Sequence, residues 1–104
     1  MTGEKGTIQA VVFQREGHWV AQCLDYDIAT QAGSLNDLVY EVERIIVAHL
    51  LLAKKDENPF ASLPKAPQKF WEMYQNASIR LTPVQPAEFP IPPEQRPSLE
   101  LRAA

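Results

Sequence analysis

Residues 11–52 read VVFQREGHWVAQCLDYDIATQAGSLNDLVYEVERIIVAHLLL, and the hydrophobic period of this stretch changes once, at Ser34. Before Ser34, β-branched and aromatic residues fall in short runs broken by turn formers; after it, apolar residues recur every three or four positions. The first pattern extends back to Thr7. Residues 7–14 (TIQAVVFQ) and 18–24 (HWVAQCL) read as two strands, and the Arg15, Glu16, Gly17 connection between them suits a hairpin with the glycine at positive φ. A third strand, 28–32, follows the polar corner Asp25, Tyr26, Asp27 and stops at Gly33. The three form an antiparallel meander.

Successive strand residues point to opposite faces, so Ile8, Ala10, Val12, Trp19, Ala21 and Cys23 share one side and form the expected core face. The other side carries Val11, Phe13 and Val20, an apolar patch that needs a cover. A second copy or a protein partner is expected there.

The Ser34 hydroxyl can cap a helix by accepting from the Asp37 amide, and an acidic first turn complements the helix dipole. Leu35, Leu38, Val39, Val42, Ile45, Ile46, His49, Leu50 and Ala53 then make one apolar stripe. Lys54 and Lys55 suit the negative end of the dipole, and Pro59 limits any continuation. A helix over 35–55 would be about 30 Å long, against strands of about 25 Å, so its Leu50, Leu51, Leu52 end should overhang the sheet. Phe60, Phe70 and Trp71 are the expected cover for that end, the last two on a short helix near Pro67.

Residues 78–84 (SIRLTPV) read as a fourth strand, held to an edge or an exit by Pro83. Proline then dominates the stretch up to Pro97. Residues 85–104 are accordingly expected to form an extended or disordered tail, leaving an α+β domain over 7–84 with strand order β-β-β-α-β along the chain and one extra short helix.

The whole chain has 104 residues, 45% of them apolar, and a net charge of −3. That is one domain with a core large enough to need no staple. A single cysteine excludes an internal disulfide, and one Cys with two unrelated His gives no zinc site. The opening MTGEKGTIQA lacks an apolar signal core, and no run of 18 apolar residues occurs, so a cytoplasmic protein without a membrane partner is expected. No basic stripe is available to neutralise phosphates, which argues against direct nucleic-acid binding. Asp25 and Asp27 could hold a metal in a nuclease, but no carboxylate stands on the first strand, and Asp is a common turn former. His18 and His49 lack a nearby nucleophile partner in sequence, and Cys23 reads as a small buried apolar residue. No catalytic residue, metal site or cofactor is expected.

The same stretch, with Trp19-Val20-Ala21, the Asp25-Tyr26-Asp27 corner, Thr30-Gln31 before Gly33, and Ser34-Leu35 opening an apolar helix, resembles the HicB-like antitoxin family. The resemblance covers about 40 residues. It implies a partial ribonuclease H-like fold, with residues 78–84 as the last strand, and a domain that binds and blocks a small mRNA-cleaving toxin. The chain departs from the pattern in a corner without Pro or Gly, in a longer insert over 56–77, and in having a proline-rich tail after residue 84 instead of a DNA-binding module. Three functions are weighed on this basis. The leading one is a protein-binding module that inhibits a basic HicA-like toxin. A stand-alone homo-oligomeric structural or regulatory domain is second, and a metal-dependent nuclease using Asp25 and Asp27 is third.

Overall fold

The computed structural model describes residues 6–53, 58–81 and 89–104. Strands β1 (Thr7–Arg15) and β2 (His18–Cys23) form the expected hairpin, although its loop is one residue shorter. Arg15 ends β1 opposite His18, and Glu16 and Gly17 make the turn at φ 52° and 80°. Two consecutive positive φ values define a type I′ turn, whose twist matches that of the strands. β3 (Ala29–Ala32) completes the meander by pairing antiparallel with β2.

Helix α1 (Leu35–Leu52) starts at Ser34, whose Oγ accepts from the Asp37 amide at 3.2 Å. Its buried Leu38, Val42 and Ile46 pack on Ile8, Ala10, Val12, Ala21 and Cys23, which is the core face expected from the strand alternation. The helix is last regular at Leu52, and Lys54 and Lys55 lie outside the described residues. Eighteen helical residues span about 27 Å, shorter than the expected helix over 35–55, and Leu51 and Leu52 at its end are exposed.

Phe60 covers the far end of α1 as expected: its ring stacks on Tyr26 (4.6 Å between centroids) and lies 5.4 Å from His49. Phe70 and Trp71 do not. The chain from Phe60 is tied to the β2–β3 corner, with Pro64 O accepting from the Asp27 amide (2.7 Å) and the Ala66 amide donating to Leu24 O (2.9 Å). Those bonds carry it past the sheet, so α2 (Gln68–Asn76) lies against the opposite face. There Phe70, Trp71, Met73 and Tyr74 pack on Val11, Phe13, Leu24 and Ala66. Two of the three residues expected to await a partner are therefore covered by α2, Val11 being fully buried and Phe13 stacking on Phe70 at 6.1 Å, while Val20 is half-buried.

The second correction concerns the end of the chain. Residues 79–81 do form a strand, β4 (Ile79–Leu81), but it lies at the sheet edge and does not pair with β1. The neighbour of β1 is β5 (Ser98–Ala103), inside the segment expected to be a disordered tail. β5 runs parallel to β1, with Thr7 opposite Ser98 and Val12 opposite Ala103, and antiparallel to β4. Its alternation explains the placement. Leu99, Leu101 and Ala103 face the α1 core while Glu100 and Arg102 face the other way, and all the prolines of the segment precede them. Residues 82–88, which include the end of the expected strand over 78–84 with Pro83, lie outside the described residues. The described part of the approach to β5 crosses α1, where Phe89 meets Tyr40 (5.2 Å between centroids) and Arg96 pairs with Glu43 (3.3 Å).

The result is an α+β fold, a five-stranded mixed sheet in the order β3-β2-β1-β5-β4 with a helix on each face.

Candidate protein-binding surface

The residues that could have carried chemistry are bound into the frame. Asp25 Oδ2 accepts from the Gln9 amide (2.8 Å), and Asp27 Oδ1 accepts from Gln22 Nε2 (2.8 Å). Gln22 is itself buried and also donates to Cys23 O (3.0 Å). The two carboxylates thus fasten the β2–β3 corner to β1 and β2, the turn role that competed with metal binding. Among the described residues, no three His, Cys, Asp or Glu side chains gather closely enough to hold a metal ion.

Burial, and secondarily the charge of Asp25, push the Cys23 thiol up to about 12. A thiol so disposed stays protonated at neutral pH and is a poor nucleophile. His49 Nδ1 donates to Ile45 O one turn back (2.9 Å), and its ring packs on Phe60. His18 is exposed beside the hairpin turn, donating to Glu16 O at 3.2 Å.

With a helix on each sheet face, the most exposed large aliphatic side chains among the described residues are at two places, and Tyr40 on α1 is 45% exposed beside Phe89. At the end of α1, Leu51 is 54% and Leu52 83% exposed, and Leu52, Ile45, Ala48, His49 and Pro59 line a cleft of about 200 Å³. Arg44 stands at its rim, paired with Glu41 one turn earlier at 2.8 Å. The second place is the β4 edge. Ile79 is 61% exposed there, and a cleft of about 420 Å³ opens between Ile79, the end of α2 at Met73 and Asn76, and Ala103.

Charge differs between the two. The outer side of α1 presents Asp37, with Glu41 engaged by Arg44 and Glu43 by Arg96. At the other place Arg80 of β4 sits directly opposite Arg102 of β5 on the α2 face. Arg102 is occupied, its guanidinium 4.3 Å from the centre of the Tyr74 ring and its Nη1 donating to Tyr74 O (3.4 Å). Arg80 makes no hydrogen bond or ion pair with a described residue.

The three leucines at 50–52 were visible in sequence as an apolar excess, and two of them are now placed at the surface. Ile79 and Arg80 were visible only as strand formers, because their exposure depends on which strand takes the place beside β1. Compared with protein-family models, curated proteins and solved structures, the chain matches none.

Proposed function

We propose that this domain is a protein-binding module of the HicB-like antitoxin kind, which occupies and blocks a small basic mRNA-cleaving toxin of the HicA type. The observation that carries the reading is the arrangement around β1: an antiparallel meander on one side, a parallel strand on the other, and a capped helix against one face. This is the β-β-β-α-β order implied by the resemblance over residues 11–52, with β5 in the role first given to residues 78–84 and α2 and β4 as an insertion. The net charge of −3 favours a basic partner, and the exposed Leu51 and Leu52 offer it an apolar anchor.

The test is inhibition. Purified protein is mixed with a HicA-type ribonuclease and cleavage of a reporter mRNA is followed. Stoichiometric protection is expected, and Leu52→Asp should weaken it by about tenfold while leaving the melting curve unchanged, because an exposed side chain contributes little to folding. Unchanged cleavage at a large excess of the protein would sink the proposal. A self-associating species with no effect on the ribonuclease would favour the stand-alone oligomeric reading.

A further inference from the structure

The free edge of β4 is a row of backbone N–H and C=O groups with no strand beyond it among the described residues. Such an edge can be extended by another chain unless something prevents it. Natural edges are protected by short length and by a central charge, and Ile79, Arg80, Leu81 has both. The charge, however, bars only some strands. A second copy of this chain pairing antiparallel about the middle of β4 would set Arg80 against its own counterpart, with Arg102 one strand further in on the same face. Four guanidinium groups, one on each of the four adjoining strands, would then line one side of the extended sheet. Self-pairing is disfavoured.

The same geometry suits a strand with a carboxylate at its centre. Arg80 makes no ion pair with a described residue, Glu100 on the same face of β5 included, while its cross-strand neighbour is committed to Tyr74, so an acidic side chain arriving on the free side of β4 would meet an unpaired guanidinium. On the α1 face, Ile79 and Leu81 flank Arg80 at the two adjacent positions, and Ile79 is largely exposed beside the cleft next to Ala103. Apolar residues on both sides of the carboxylate would meet those two. We infer that the β4 edge accepts an extended peptide segment of another protein with the alternation apolar, acidic, apolar, added as a sixth strand. Main-chain hydrogen bonds would supply the affinity and Arg80 the selectivity. This inference concerns a different surface from the α1 end and does not depend on the antitoxin reading.

The probes are two capped heptapeptides, Thr-Thr-Val-Glu-Val-Thr-Thr and the same peptide with Lys for Glu, titrated into the full isotope-labelled chain while amide resonances are followed. Saturable shifts are expected at 78–81 and at the end of α2, with the Glu peptide binding about fivefold more tightly, the change expected when a cross-strand pair goes from like to opposite charge. Arg80→Glu should invert the preference while leaving the resonances of β1, β2 and β3 in place. Equal affinities for the two peptides, shifts at the β3 edge, or no saturable shift at millimolar peptide would each overturn the inference. So would a concentration-dependent dimer in sedimentation that Arg80→Glu abolishes, since the edge would then belong to a second copy.

Discussion

Strand β1 has two neighbours, and six of its residues pair on each side, yet the two sides are built differently. β2 comes after a two-residue turn and runs antiparallel; β5 joins β1 from the far end of the sequence and runs parallel. The first pairing closes a minimal loop and can form locally. The second needs the intervening chain, both helices included, to be laid down so that its ends meet. The lesson is that a strand's importance to a sheet is independent of how plainly its sequence announces it.

The sharpest way to break the comparison is to remove one side. Truncation after residue 97 deletes β5, strips β4 of its partner, removes Leu101 from the α1 core and bares the edge of β1. The truncated chain should show no cooperative thermal transition by circular dichroism. A melt within a few degrees of the intact protein would mean that the meander and α1 stand alone. A milder version keeps the strand and empties its core position: Leu101→Ala should cost about 3 kcal/mol in denaturant unfolding, as for other fully buried leucines.

On the β2 side, Cys23 pairs with Ala10 in the same core. Its thiol titrates at about 12 in the folded protein against an ordinary 9.0, so the unfolded chain loses that proton first as pH rises. Deprotonation of the unfolded chain therefore erodes stability progressively between pH 9.0 and about 12, and the folded state carries no such penalty below pH 9.0. Cys23→Ala should accordingly flatten the alkaline limb of the stability curve measured by urea midpoints. An unaltered limb would show that Cys23 is not the group responsible. The smallest effect concerns the turn that makes β2 local. Glu16 holds φ 52°, which glutamate adopts reluctantly and asparagine more readily, so Glu16→Asn should raise stability by about 0.5–1 kcal/mol. An unchanged urea midpoint would mean that the turn is not strained at Glu16.

These contrasts also explain how much of the fold is legible in the sequence. The hairpin, the corner, the Ser34 cap and the stripe of α1 are each local, and the core face of β1 and β2 comes from alternation alone. Residues 98–103 alternate just as clearly, but six residues after a run of prolines are outweighed by the composition of the segment around them. The patch at Val11, Phe13 and Val20 does need a cover, and at Val11 and Phe13 the chain supplies it from α2. Sequence reasoning matches Phe70 and Trp71 to the end of α1 instead, because the bonds from Pro64 and Ala66 to the β2–β3 corner, which carry α2 to the other face, are long-range. The β4 edge is illegible for a different reason: Arg80 gains significance only from standing opposite Arg102, a neighbour set by long-range pairing.

The parallel register of β1 and β5 has a mechanical consequence. Because Thr7 lies beside Ser98 and Val12 beside Ala103, a pull between residue 7 and residue 103 is directed along the two strands and not across them. Load is then shared over six paired positions, about 20 Å of ladder, together with the flanking bonds from the Ser98 amide to Gly6 O and from the Ala104 amide to Val12 O. The ladder must shear as a unit before either strand can leave. The same force applied at the β4 edge would peel that three-residue strand away one bond at a time, so the domain resists stretching along its centre and yields at its margin.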